Sequence, residues 1–347
     1  MEPIKPIKPT KIQSSKSDHT KEKLTSVELG KLWVTYTGNT MAKCVLSYYL
    51  THVDDEEIKQ ILQNALQLTE EIIKSTKGFM EQEGFPLPIG FTHDDVNLGA
   101  PRLFADEFYL HYLRYTSKAG MSIYSIAIPI LVRADIREFF IKTLNSTIKL
   151  IEQVNEVMIE KGLLDKPPII PIPEKVEFVE QKSYFKGFFG DVRPLHALEI
   201  AHLYDNIDNN ITSKTLLMAF SQVAKSEAVK NFMLKGKDIT GKHIEACSKQ
   251  LNENNLPSPS LLGDLITTST YAPFSDKLLM WHKIDMFSMK IRSYANAISL
   301  NGRRDIGTMY ARFLMDIAVY VQEGANIMVD NGWLEEPPHA IDRASKD

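Results

Sequence analysis

The stretch Leu24-Thr-Ser-Val-Glu-Leu-Gly-Lys-Leu-Trp33 decides the fold, because it returns as Leu195-His-Ala-Leu-Glu-Ile-Ala-His-Leu-Tyr204. The two stretches align at an offset of 171 residues, which places Glu28 on Glu199. Further along, the offset becomes 170, and the endings of the two copies also match: residues 160–168 resemble residues 330–338. Agreement over this length is not a chance event, so the chain is a tandem duplication.

Prolines, glycines and capping residues divide each copy into four long helices. In the second copy, Pro194 is a suitable first-turn residue for the first helix, and Ser226 can cap the second. The third helix begins near Asp276, and the fourth ends at Gly332, just before two prolines. Long helices with mostly short connections predict an all-α protein: a tandem duplication of two antiparallel up-down-up-down four-helix bundles.

Four segments follow from this reading. We expect a flexible N-terminal tail over residues 1–23, a first bundle over 24–168, an extended proline-rich linker over 169–193 and a second bundle over 194–347. In the linker, Pro171 and Pro173 exclude a helix interior. The run Val176-Glu-Phe-Val-Glu180 suggests extended backbone with, at most, a short strand.

Composition excludes several function classes. The net charge of -4 gives no basic surface for nucleic acid. The longest apolar run, residues 125–132, contains a proline and is far shorter than the roughly 20 residues that cross a membrane. Two cysteines and an N-terminus without the apolar core of a signal peptide indicate a reducing, cytoplasmic setting. The sequence leaves open whether the chain forms a homo-oligomer.

The duplication provides an internal control, since a polar residue present in only one copy is not needed for the fold. Four differences stand out, one on each helix: Lys31 becomes His202, Ile72 becomes His243, Tyr112 becomes His282 and Gln153 becomes Glu323. Counted along antiparallel helices, all four lie about 10–16 Å from the same end of the second bundle. Glu199 lies three residues before His202, on the same helical face.

These five residues, His202, His243, His282, Glu323 and Glu199, are the predicted metal ligands. Three imidazoles and a carboxylate buried together would be costly unless they bind a metal or are hydrogen-bonded. A single buried histidine is more often a satisfied polar residue than a ligand, but convergence from four helices favours a metal. Asp285 and Glu245 are alternative ligands, and the first copy is expected to be metal-free.

The mixed nitrogen and oxygen ligand set suits iron, with zinc or manganese as alternatives. Glu199 and His202 are the one Glu-x-x-His pair that fits the helical di-iron pattern, and the fourth helix shows no second one, so a mononuclear non-haem site is favoured over a dinuclear one. The metal ion is the one partner that the sequence indicates, with no sign of nucleic acid or membrane.

The chain resembles an uncharacterised family of duplicated four-helix-bundle proteins from spore-forming bacteria, some labelled spore coat proteins and some described as metalloproteins. The resemblance rests on Glu199-Ile-Ala-His202, Lys242-His243-Ile-Glu245, Phe274-Ser-Asp-Lys-Leu278, Glu323-Gly-Ala-Asn-Ile-Met328 and Asn331-Gly-Trp-Leu-Glu335. It implies tandem bundles, a metal and a location associated with the spore, but no reaction. Three function classes stay open: a redox-active metalloprotein, a non-enzymatic structural or sporulation-associated metal-binding protein, and a helical interaction module without metal.

Overall fold

The computed structural model describes residues 23–188 and 192–340, and its regular elements there are eight α-helices. They are α1 (Ser26–Leu50), α2 (Glu56–Gln82), α3 (Asp106–Ala127), α4 (Ala134–Glu160), α5 (Ala197–Val223), α6 (Glu227–Asn252), α7 (Asp276–Ser299) and α8 (Arg304–Asp330). Each repeat contributes four, which confirms the predicted all-α duplication. The predicted tail, residues 1–23, lies outside the described residues apart from Lys23.

A buried glutamate ties the first helix of each repeat to the start of the fourth. Glu28 accepts hydrogen bonds from the backbone N–H of Thr25 (2.8 Å) and Arg133 (2.7 Å). Glu199 likewise accepts from the backbone N–H of Arg303 at 3.0 Å. The carboxylate therefore satisfies helix-end donors that would otherwise be buried without a partner. Its presence in both repeats marks it as part of the fold.

The helix ends follow the expected residue types. Gly162 after α4 (φ 70°) and Gly332 after α8 (φ 66°) adopt the left-handed conformation that favours glycine. The stop predicted at Gly332 is thus confirmed. Pro194 does not occupy the first turn of α5, because that helix begins at Ala197, and His196 caps it through its ring Nδ1.

The same aromatic cluster lies in the core of both repeats. Its rings pack with centroids 5.2–6.3 Å apart, and the members are Tyr49, Phe104 and Tyr112 in the first repeat and Phe220, Phe274 and His282 in the second. These rings come from the first helix, the start of the third helix and its second turn. The repeats therefore share a core as well as a helix order.

The long loops before α3 and α7 join the repeats to each other. Backbone bridges pair Val96 with Phe274 and Phe104 with Ile266, both antiparallel. The offset of 170 residues places Val96 on Ile266 and Phe104 on Phe274, so it exchanges the two bridges, and the pairing is symmetric about a local twofold axis. Helices α3 and α7 also contact each other at this axis. The two bundles consequently meet through equivalent surfaces.

The linker between the repeats has little regular structure. Over its described part, residues 169–188 and 192–193, no strand forms, and one 3-10 turn spans Lys182–Phe185. Val176 and Phe178 are almost fully exposed. An isolated extended run has no neighbouring strand to pair with, which explains why the alternating sequence does not make one. Among the described helices, none combines the length and the apolar composition that a bilayer-spanning segment needs.

Candidate functional site

Of the predicted ligands, Glu199 is fully engaged by protein groups. Its two carboxylate oxygens form a bidentate ion pair with Arg193, each at 2.8 Å, besides the backbone bonds already described. Burial alone would raise the pKa of Glu199, but the bonds from Arg193 and from the His196 backbone outweigh it, and the net shift is downward. The carboxylate has a structural role, which its equivalent Glu28 already indicated in the sequence.

Glu323 lies on the surface rather than in the core. The buried stripe of α8 runs through Tyr320 and Gly324, and Glu323 falls beside it. Gly324 is packed so closely that a Cβ there would lie 2.6 Å from the Phe232 ring. The glutamate therefore turns outward and forms an ion pair with Lys235.

His243 is buried, and both of its ring nitrogens are occupied. Nδ1 lies 3.0 Å from Tyr294 Oη, and Nε2 lies 3.3 Å from Asp316 Oδ2. The ring stacks on Phe313 with centroids 3.9 Å apart. Burial lowers the pKa of His243 to about 4. The side chain is a neutral, hydrogen-bonded core histidine.

The other two predicted histidines have different contacts from those of His243. His282 is fully buried, and its Nε2 is 3.1 Å from Tyr112 Oη of the other repeat. Burial lowers its pKa well below the ordinary value. His202 is half-buried, beside the core stripe that Leu203 and Asn206 form on α5.

The structure thus does not bring the five predicted ligands together. Within residues 23–188 and 192–340, no group of three or more His, Cys, Asp or Glu side chains is arranged to hold a metal ion. Counting positions along each helix found histidines that are buried. The direction in which each side chain points, however, is set by helix packing and by the interface between the repeats. The alternative ligand Glu245 is exposed.

The core of the second bundle also contains two buried lysines that were not among the predicted site residues. Lys290 Nζ donates to Thr240 Oγ1 at 3.1 Å and lies 4.2 Å from the centroid of the Phe287 ring. Lys283 Nζ donates to Ser213 Oγ at 2.9 Å. Burial lowers the pKa of both amines, that of Lys283 to about 7. The core of the second bundle therefore holds two amines whose protonation is disfavoured by burial.

The space for a ligand is in the first bundle instead. A cavity of about 130 Å³ lies between α1, α2, α3 and α4, and α7 of the second repeat completes its wall. Most of the wall is apolar, and polar groups from each helix of the first bundle interrupt it: Thr35, Asn39, Thr69, Thr116, Ser117 and Thr147. This combination of apolar surface with a few polar groups is typical of small-molecule sites.

Asp285 is the single charged side chain among the described residues that line this cavity. It comes from α7, so the second repeat supplies it to a pocket of the first. Burial raises its pKa to about 6, although the nearby Arg292 opposes the shift. The side chain remains half-buried because it borders the cavity. The sequence reading noted Asp285 as an alternative metal ligand of the second bundle, and its position in the first bundle was missed.

At the equivalent place in the second bundle, larger side chains of the described residues fill the space. Gly120 corresponds to Lys290, and Ser117 corresponds to Phe287. Both second-repeat side chains are buried and in contact with each other. The informative difference between the copies is therefore the small residues of the first repeat. The sequence prediction was based on the polar residues of the second repeat instead.

Comparison with known proteins supports the duplication. The model of a family described as a protein of unknown function, DUF3231, matches residues 13–176 and again residues 184–345. A crystal structure from Bacillus halodurans C-125, of a protein carrying the provisional description of spore coat protein, is similar at 18% identity and a TM-score of 0.39. The similarity covers 43% of this chain and 98% of that one. No curated protein matches.

Proposed function

The chain belongs to the DUF3231 family, and since the function of that family is unknown, we propose one from the residues themselves: the protein binds a small molecule in the cavity of its first bundle. One observation carries the proposal. The cavity is lined by hydroxyl groups and an unpaired carboxylate, and the same position in the second repeat is filled. A fold-stabilising core would not require this difference, because the second bundle packs without the cavity.

The size of the cavity limits the ligand. An engineered cavity of about 150 Å³ in another protein stays dry and binds benzene. At about 130 Å³, the cavity here takes a compound of similar or slightly smaller size. The proposal is a binding function with no reaction, in keeping with the non-enzymatic alternative from the sequence.

The test uses benzene as a neutral probe of matching size. In a wild-type NMR titration, we expect saturable shifts of the side-chain methyl groups of Leu113 and Ile72, which line the cavity. The filled variant Ser117→Phe/Gly120→Lys, which copies the second repeat, should show none. Thr69 corresponds to Thr240 and can bond the new lysine as Thr240 bonds Lys290. Ser117→Phe alone is the fallback if the double variant does not fold. Absence of shifts in the wild type overturns the proposal.

Metal binding and spore association are separate proposals. Iron, or zinc or manganese, at His202, His243, His282, Glu323 and Glu199 would require those side chains to exchange their present partners for a metal. Elemental analysis of untagged protein tests it: one equivalent per chain supports the site, and less than a tenth rejects it. Spore association rests on the sequence resemblance alone, and immunoblotting of purified spores against cell lysate tests it.

A further inference from the structure

We propose that the ligand of the first-bundle cavity is a small primary alkylamine, bound as its ammonium ion against Asp285. This inference rests on the proposed function, because it assigns a chemical class to the ligand of the same cavity. Three features of the cavity wall support it: its available hydrogen-bonding groups, its charge and the shape of its apolar surface.

Three of the six polar groups in the wall have committed a donor to a backbone carbonyl, whereas Thr35 Oγ1 is buried without a hydrogen-bond partner among the described residues. Thr116 Oγ1 donates to the Tyr112 carbonyl at 2.9 Å, and Thr147 Oγ1 donates to the Thr143 carbonyl at 2.9 Å. Asn39 Nδ2 donates to a carbonyl of its own helix at 2.7 Å. What these groups retain is lone pairs on oxygen. All of these side chains can still accept a hydrogen bond, so a ligand that donates several hydrogen bonds suits the cavity.

The negative charge of Asp285 also favours a ligand that donates hydrogen bonds. No hydrogen bond or ion pair from the described residues engages the carboxylate of Asp285, although the charged Arg292 lies on the same helix. Two of the three guanidinium nitrogens of Arg292 are bonded elsewhere: Nε donates to Ser122 Oγ at 3.1 Å, and Nη1 donates to Ser288 Oγ at 3.5 Å. The third, Nη2, is buried without a hydrogen-bond partner in the part of the chain that the structure describes. A half-buried carboxylate beside an apolar wall is costly without a bonded partner, and a cation with several donors removes that cost.

The remainder of the wall fits an alkyl chain beside aromatic rings. Leu68, Ile72 and Leu113 supply apolar surface, and Tyr124 and Trp281 supply rings. An ammonium group is attracted to aromatic faces, and its alkyl chain gains from burial. An ammonium on a chain of about four carbons fits a volume of this size. A metal ion would leave the apolar surface unused, since ions of that kind prefer several oxygen ligands.

Calorimetry and NMR titration with butylamine and butan-1-ol test the inference, because the two probes differ only in the head group. We expect wild-type protein at neutral pH to bind butylamine at least tenfold more tightly than butan-1-ol. Asp285→Asn should remove the preference and leave the alcohol affinity within about twofold. The charge-matched control is Asp238→Asn, which removes a carboxylate from the surface of α6 and should keep the preference.

Each other outcome has a definite meaning. Equal affinity for amine and alcohol in the wild type overturns the amine inference but leaves the binding cavity intact. A preference that survives Asp285→Asn also overturns it, because the cation is then held elsewhere. If neither probe binds and benzene also fails, the proposed function itself is wrong.

Discussion

Tyr112 and His282 occupy the same position in the two repeats, and they are hydrogen-bonded to each other, Tyr112 Oη to His282 Nε2 at 3.1 Å. Ser122 and Arg292 form a second pair of this kind, with Arg292 Nε donating to Ser122 Oγ at 3.1 Å. Both pairs are separated by 170 residues, the offset of the duplication. Contacts between equivalent positions arise on a local twofold axis. The histidine that replaces Tyr112 in the second repeat therefore belongs to the interface between the repeats.

We expect Tyr112→Phe to lower the free energy of unfolding by about 1–3 kcal/mol, because it leaves the buried ring of His282 without its partner. His282→Leu should cost a similar amount, and the double variant should cost less than the sum, with a coupling energy of about 1 kcal/mol. Urea unfolding of the four proteins measures this. Tyr109→Phe is the control, since that hydroxyl donates to Phe104 O within one repeat and should not couple to His282→Leu. Additive costs for Tyr112 and His282 would contradict the contact.

Asp285 should make the protein less stable as pH rises from about 4 to 6. Burial raises the pKa of Asp285 from 3.8 to about 6, so in this interval the folded chain retains a proton that the unfolded chain releases. Arg292 opposes this shift, and the facing side chains Tyr112, Tyr115 and Tyr124 stay neutral.

Asp285→Asn should therefore be more stable than the wild type by about 1–3 kcal/mol at pH 7, with the difference vanishing near pH 4. Urea unfolding at several pH values gives the two curves. Asp238→Asn should run parallel to the wild type. Parallel curves for Asp285→Asn as well would show that the carboxylate is solvated.

Lys283→Met should stabilise the second bundle. Burial lowers the pKa of Lys283 from 10.5 to about 7, so between these values the unfolded chain binds a proton that the folded chain lacks. The wild type consequently gains stability as pH rises through this range. The variant should exceed the wild type by about 1–4 kcal/mol at pH 7, and its advantage should shrink as pH approaches 10. Thermal melts across that range measure it, and a destabilised variant at pH 7 would be the opposite result.

Glu28→Gln and Glu199→Gln form a matched pair across the two repeats. Each removes a charged acceptor of several buried N–H groups, so each should lower the free energy of unfolding by about 2–4 kcal/mol. Far-UV circular dichroism during urea unfolding measures both. No loss of stability in either variant would contradict the structural role assigned to the two carboxylates.

The fold could be predicted because its determinants are local and occur twice. Glycine at position 332, the cap at Ser275 and the periodic apolar residues each act within a few residues of the chain. The duplication then repeats every signal. For the linker at Val176-Glu-Phe-Val-Glu180, the sequence could indicate extended backbone but not whether a strand forms, since strand formation depends on a partner elsewhere.

The site could be predicted only in part. Depth along a helix follows from counting, and the burial of His243 and His282 was correctly expected. The direction in which each side chain points depends on neighbouring helices. Gly324 rather than Glu323 packs against Phe232, so Glu323 pairs with Lys235, and His282 bonds to the other repeat. A cavity is a property of small residues together, so Ser117 and Gly120 became informative only once their positions were known.

The most direct test of the central claim is a crystal structure of the protein soaked with butylamine. We expect one molecule inside the first bundle, with its nitrogen within hydrogen-bond distance, about 2.7–3.0 Å, of the Asp285 carboxylate, and its chain among Leu68, Ile72 and Leu113. Density for the amine only on the surface, or a first-bundle cavity closed by its own side chains, would contradict the account.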